Sequence, residues 1–253
     1  MKRFLLFTIF MFLSLFSSNV FAEETKNTEM KEVELDKTEL KYDANTSTKI
    51  MTDKEIQNHI TEIGFKLLNA NKIDVRMVFV YKDKDVKIEG EPGLTKRQII
   101  VYDKTINHTS NDDEIAAYLA RQICKSAESY NGMFNGTLTS VQIKSAPKKY
   151  EIFFDKRAVD FLVTANFNPI GLITFLHKSE PQRRFDKFST HNLTSKRLAH
   201  IYEYIYTKYP MYLLKNTYIT DETYQNFLLN SIENRKKLYK KIETKSKKKV
   251  DYE

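Results

Sequence analysis

Residues 113–125 read DEIAAYLARQICK, and the fold turns on how that run is read. Ile115, Leu119 and Ile123 recur every fourth residue, with Ala116, Ala120 and Ala127 beside them. That is the period of a helix whose face is turned to a core. Asn111 and Glu114 form an N-x-x-E cap, and Asp112, Asp113 and Glu114 suit the positive end of a helix. Asn131-Gly132 supplies the stop after Tyr130. The pattern predicts a buried helix over residues 111–130. Arg121 and Lys125, one helical turn apart, share its polar face.

Upstream, Thr52-Asp53-Lys54-Glu55 is a capping box that opens a helix through about Ala70, with Ile56, Ile60, Ile63, Phe65 and Leu67 on its apolar side. Residues 75–81, VRMVFVY, read as a buried strand. Val86–Ile88 starts a second strand, Pro92-Gly93 turns, and QIIVY at 98–102 is a third. Residues 107–111 are a loop, and 131–147 a loop or short hairpin. Helices follow over Tyr150–Ala165, from Asn168-Pro169 to Lys178, and from Thr194 or Ser195 to Thr207, where Pro210 ends the run. Residues 179–194 between them are polar loop. Thr220-Asp221-Glu222 opens a last helix that runs through Leu238 into a basic tail. The fold class is α+β, mostly helical, with a small β-sheet packed on the central helix.

Composition sets the chain's setting. Lys2 and Arg3, an apolar run from Phe4 to Phe16 and Val20-Phe21-Ala22 form a signal peptide over residues 1–22. The expectation is export, with cleavage near Ala22 and release to a periplasm or the medium. Residues 23–51 are polar and without period, a flexible lead-in. The only cysteine, Cys124, excludes an intrachain disulfide and reads as a buried inert thiol. The formal charge is +8, and residues 235–249 hold nine Lys or Arg against one Glu. Lys236, Lys237, Lys240, Lys241, Lys247, Lys248 and Lys249 therefore form either a solvated, frayed helix end or a surface for anionic membrane or an acidic partner. Nucleic acid does not suit an exported chain.

DEIAAYLARQICK resembles the D-E-L-A-A-x-L-A-H-E-x-x-H helix of zinc metallopeptidase family M-48, which includes HtpX, the CAAX-processing protease and the β-barrel assembly-enhancing protease. QIIVY is similar to the edge strand that precedes that helix. RAVDFLVTANFNPIGLITFL, from Arg157, resembles the family's E-x-E-A-D…A-G-Y-D-P…F-L segment, with Asp160, Ala165, Phe167 and Pro169 on the Asp, Ala, aromatic and Pro positions. Residues 185–197, with Ser189-Thr190-His191 and Arg197, resemble its S-T-H-P-x-T-x-x-R element. The resemblance covers roughly residues 53–205 and implies a zincin-like metallopeptidase domain over 52–208. Residues 209–253 would be a helical extension carrying the basic tail.

The resemblance also implies that the chemistry has been lost. A zinc site of this type needs two imidazoles one turn apart, a carboxylate, and a Glu as general base. Arg121 and Lys125 stand at the imidazole positions and Gln122 at the base position. Counting four residues back from Asp160 puts Lys156 at the third-ligand position. The five histidines, His59, His108, His177, His191 and His200, include no pair four apart. No cofactor is expected. His191 reads as a vestigial site residue or a structural histidine, and Arg197 as the partner of Asp160 or a nearby carboxylate. Arg121, Lys125 and Lys156 are expected to converge as an anion-binding cleft, unless Asp155, Glu114 or Glu128 neutralises them.

Three functions follow from these readings. The first is an exported pseudoenzyme that binds an envelope protein or an unfolded polypeptide in a chaperone-like role. The second is an active zinc metalloendopeptidase using His191 with Asp155 or Asp160. The third is a membrane-surface protein acting through its tail.

Overall fold

The computed structural model describes residues 52–83, 97–130, 137–180 and 191–253. The expected signal peptide, lead-in, strand at Val86–Ile88 and Pro92-Gly93 turn lie outside the described residues. Lys49–Glu253 forms one compact unit. Its order is α1 (Asp53–Ala70), β1 (Val78–Lys82), β2 (Gln98–Tyr102), α2 (Asp103–Asn107), α3 (Asp112–Tyr130), α4 (Thr137–Ser145), α5 (Pro147–Thr164), α6 (Ile170–Ser179), α7 (Thr194–Lys208), α8 (Met211–Leu214), α9 (Glu222–Asn230) and α10 (Ile232–Glu243). The class is α+β and mostly helical, with one small sheet. No helix among the described residues is long and apolar enough to cross a membrane.

Local chemistry accounts for the helix ends. Thr52 Oγ1 accepts from Glu55 N at 3.3 Å while Thr52 N donates to Glu55 Oε2 at 2.8 Å, so both halves of the capping box are present. Asn111 Oδ1 accepts from Glu114 N at 3.1 Å at the head of α3. Asn166 takes a left-handed conformation (φ 57°) at the end of α5, with Asn166 N donating to Val163 O and Phe167 N to Leu162 O at 2.9 Å. This is a Schellman motif. Asn168 Oδ1 then accepts from Ile170 N at 3.0 Å and opens α6.

β1 and β2 pair in parallel, from Val78 opposite Gln98 to Lys82 opposite Tyr102. The outer edge of β1 is closed by α1 rather than by another strand. Gln57 Nε2 donates to Phe79 O at 3.0 Å, and Tyr81 N donates to Gln57 Oε1 at 2.7 Å. One amide thus takes the two groups a neighbouring strand would have used.

α3 is the hub. It packs on α1, α5 and α6, and Ala116, Ala117, Leu119, Ala120, Ile123 and Cys124 are fully buried. Burial pushes the Cys124 thiol far up, which keeps it protonated. The alanines allow close approach of the neighbouring helices. Tyr118 OH donates to Ile100 O at 2.9 Å and fastens α3 to β2.

Three elements depart from expectation. Residues 137–145 are helical, not loop or hairpin. This Ser/Thr-rich run has no Gly or Pro inside it, so nothing stops a helix before Pro147. α5 starts at Pro147 rather than Tyr150 because proline, lacking an N–H, fits the first helical turn. The last helix breaks at Ser231 into α9, on α6, and α10, on α7. The expected frayed tail is folded back. Lys245 turns with φ 49°, Tyr252 is buried with its ring centroid 4.9 Å from that of His200, and Glu253 N donates to Asn234 Oδ1 at 3.0 Å.

The joint between α3 and α6 requires a glycine. A Cβ on Gly171 would lie 2.8 Å from Asp113 Cβ and 2.9 Å from Asp113 C. Asp113 cannot withdraw, because its carboxylate accepts from Asn168 N at 2.8 Å and Tyr218 OH at 3.0 Å. Gly171→Ala should lower stability by about 1–3 kcal/mol, the usual cost of overpacking. Asn166→Gly, at a conformation glycine takes freely, should change it by less than about 1 kcal/mol. Urea denaturation of both variants checks the contrast.

Candidate functional site

A cleft of about 380 Å³ opens against the polar face of α3. Arg121, Gln122 and Lys125 line it from α3, Glu151 from α5, Glu180 from the end of α6, and His191 from the segment before α7. Ala116, Ala120, Ile123 and Ala127, buried on the opposite face, fix this orientation. With that face in the core, positions 122 and 125 turn to the cleft, and Arg121 lies at its buried edge.

The floor of the cleft is an ion-pair network centred on Asp155. Arg197 Nε and Nη2 donate to Asp155 Oδ2 and Oδ1 at 2.9 and 3.0 Å, a bidentate pair. Arg121 Nε approaches Asp155 Oδ1 from the other side at 2.7 Å, as an ion pair whose N–H is not aimed along the contact. All three side chains are at least nine-tenths buried. Glu180 closes the network, 3.3 Å from Arg197 Nη1 and 4.0 Å from Arg121 Nη1. Burial by itself would push the Asp155 carboxyl up, but Arg197 and Arg121 outweigh it and hold it below the ordinary value of 3.8. Arg197 is buried too, yet Asp155 drives its pKa well above the usual guanidinium value.

One turn before Asp155, Glu151 ties the cleft to the start of α7. Its Oε2 accepts from Asn192 N at 2.9 Å and Asn192 Nδ2 at 3.0 Å, and its Oε1 lies 2.5 Å from His191 Nδ1. His191 is thus held at a loop-to-helix junction by a carboxylate. The Gln122 side chain has no hydrogen-bond partner among the described residues, which leaves both ends of an amide facing the cleft.

The expected convergence of Arg121, Lys125 and Lys156 is not what the helices produce. Arg121 and Lys125 reach the cleft, whereas Lys156 points to the other side of α5, 5.7 Å from the centre of the Tyr204 ring. The reason is the 100° step of a helix. With Asp155 turned to Arg121, its neighbour must turn away. Burial lowers the Lys156 pKa there. Arg121 is neutralised by Asp155, as one of the two readings had it. Glu114 instead pairs with Lys178 at 2.5 Å and Glu128 lies 3.9 Å from Arg157. Arg197 pairs with Asp155, not with Asp160. Asp160 accepts from Tyr204, Tyr209 and Lys208 on a separate face. His191, Asp155 and Asp160 therefore do not meet, and no group of three or more His, Cys, Asp or Glu able to hold a metal forms among the described residues.

The tail lysines divide. Lys236 pairs with Glu233 at 2.8 Å, Lys237 with Glu253 at 2.6 Å and Lys241 with Glu203 at 2.7 Å, while Lys240, Lys247 and Lys248 are exposed. Lys249 lines a second groove. Several cleft residues were not singled out by sequence: Glu151, Glu180, Lys104, His108 and Tyr118. Only Glu151 carried a signal. It stands four residues before Asp155, a buried Asp, on the same face of α5. Comparison with protein-family models, curated proteins and solved structures finds no match to this chain.

Asp155→Asn should cost about 3–5 kcal/mol, because it leaves two buried guanidiniums short of their counter-charge. The sign with pH follows from the lowered pKa. The Asp155 contribution is full above the unfolded value near 3.8 and is lost as pH falls through the lower native value. Urea midpoints measured between about pH 2 and 7 should show wild type losing its advantage over the Asn variant at the acid end. A gap that stays constant with pH contradicts the assignment.

Proposed function

We propose that this chain is an exported, zincin-like domain of family M-48 type in which the metal site has been replaced, and that it holds extended or unfolded polypeptide in the Gln122 cleft without cutting it. The observation that carries the reading is the position of Arg121, Gln122 and Lys125. The three residues of the resemblance that should bind zinc and activate water stand together in one cleft, and two of them are cations. A protonated guanidinium or ammonium has no lone pair for a metal, and an amide does not act as a general base.

Geometry also favours a revised register for the resemblance. Asp155, buried and paired with Arg197, suits the Asp of the E-x-E-A-D segment better than Asp160 does. Glu151, four residues earlier and facing the cleft, then takes the third-ligand position in place of Lys156. On this reading a carboxylate has been retained where both imidazoles have been lost. The remaining groups suit a polypeptide backbone. Gln122 offers a donor and an acceptor, and charges of both signs line the walls.

Export rests on the basic, apolar and small-residue pattern of residues 1–22. A partner in a bacterial envelope, either a folding protein or an assembly intermediate, fits the combination.

Two measurements test the proposal. Purified wild type should bind casein, a permanently unfolded polypeptide, leave it uncut, and carry less than about 0.1 zinc per chain by metal analysis. The triple substitution Arg121→His, Gln122→Glu and Lys125→His should bring zinc to about one per chain, and adding Glu151→Gln should remove it again. Asp155 tolerates the loss of Arg121 because Arg197 still grips it with two bonds. Stoichiometric zinc with casein cleavage in wild type overturns the proposal, as does failure to bind casein at all.

A further inference from the structure

We propose that the outward side of α10, with the turn that follows it, docks on the surface of an anionic phospholipid membrane. This surface is independent of the Gln122 cleft. Asn234 and Leu238 are the buried positions of α10, and they fix its rotation. At 100° per residue, Ile232, Arg235, Tyr239 and Ile242 then follow one another along one flank. Ile232, Tyr239 and Ile242 are 41, 44 and 38 % exposed, although each is large and mainly apolar. Lys236 and Lys240, also exposed, run beside them on the neighbouring row.

Positive charge continues past the helix end. Thr244 N donates to Lys240 O, Lys245 N to Ile242 O and Ser246 N to Lys241 O, each at 3.0 Å, so the chain turns tightly against the last turn of α10. The far end of the tail is fixed by Tyr252 against His200 and by Asn234 Nδ2 donating to Glu253 O at 2.7 Å. Lys236, Lys237 and Lys241 have carboxylate partners. Lys240, Lys245, Lys247 and Lys248 are exposed, and their ammonium groups make no hydrogen bond or ion pair among the described residues. Glu243 is the only carboxylate in residues 240–248. The helix dipole favours a cation or two at this end, but it gives no reason for exposed isoleucines beside them.

Two features select lipid over an acidic protein. Protein interfaces are rich in Arg and poor in Lys, whereas a helix lying in a membrane interface sets Lys beside apolar side chains. The one guanidinium of the flank is used internally, with Arg235 Nη2 donating to Leu228 O at 2.8 Å and Nε to Ser231 Oγ at 3.3 Å. The face therefore offers point charges and no free bidentate fork, which suits a diffuse layer of headgroups.

The chain from Glu23 keeps the compact unit and lacks the apolar run of residues 4–16, which would enter lipid by itself. It is sedimented with phosphatidylcholine vesicles, with or without phosphatidylglycerol. The lysine variant is Lys240→Gln with Lys247→Gln and Lys248→Gln. The control is Lys54→Gln with Lys82→Gln and Lys144→Gln, an equal loss of charge at exposed positions elsewhere. Ile232→Ser with Ile242→Ser removes the apolar flank, and circular dichroism checks its fold. The chain has no tryptophan, so Tyr239→Trp supplies a single indole whose emission reports entry into lipid.

Wild type should sediment with the phosphatidylglycerol vesicles and not with phosphatidylcholine alone. Binding should weaken about tenfold or more in the lysine variant, about threefold or more in the isoleucine variant, and less than about twofold in the control. The indole emission should shift to the blue when anionic vesicles are added. Equal weakening in the lysine and control variants, equal binding to both kinds of vesicle, or no binding overturns the proposal. Binding to polyglutamate with no blue shift on vesicles overturns it in favour of an acidic protein partner.

Discussion

Asp155 is the constraint on which the rest of the structure turns. It lies on α5, takes Arg197 from α7 on one side and Arg121 from α3 on the other, and so joins three helices with one carboxylate. Taking three charges out of water is expensive, and their attraction returns that cost only when every group is matched. Here the match is close. Arg197 is bidentate, Glu180 sits over both guanidiniums, and two positive charges face two negative ones. Such a network adds little to stability compared with an apolar core. What it does is fix rotation. α5 cannot turn about its axis without breaking it, so Glu151 must face the cleft and Lys156 must face away.

The same rotation decides what the cleft can do. A metal site needs several neutral or anionic donors focused on one point. This cleft has its donors distributed: Gln122 unpartnered among the described residues, Lys125 beside Asp155, and Glu151 spent on Asn192 and His191. Groups of both signs along an open wall suit a ligand with many weak polar contacts, which is the nature of a polypeptide backbone. Charge in the second groove is instead mostly positive, with Asp251 its one carboxylate. Asn192 stands between the two, donating from its Nδ2 to Glu151 on the cleft side and to Lys148 O at 2.6 Å on the groove side. The short segment before α7 is therefore held by polar contacts from two successive turns of α5.

Much of the frame was legible from pattern. The period of Ile115, Leu119 and Ile123, the capping box at Thr52 and the Asn168-Pro169 start each rest on a local rule, and each element formed near its expected bounds. The elements misread were those without a local signal. Residues 137–145 form a helix with almost no apolar period, and the returning tail depends on Tyr252 finding His200, some fifty positions earlier. A run of nine cations looks like a solvated end because charge density is local, while the anchor that folds it back is a single aromatic.

The site was legible in its α3 face and not in its α5 members. Asp155 and Asp160 both lie on α5, five residues and about 140° apart, and each precedes the Phe167-to-Pro169 break by a plausible distance. Choosing between them needs to know which carboxylate is buried, and burial depends on Arg197, which is remote in sequence. Once Asp155 is seen to be the enclosed one, the i, i+4 rule places Glu151 in the cleft without further information. An ion pair between distant helices thus carried the information that the spacing lacked. Lys156 was reached by counting from Asp160, and it lies next to Asp155 rather than on its face. A position adjacent to the one that matters has the right neighbourhood in sequence and the wrong direction in space.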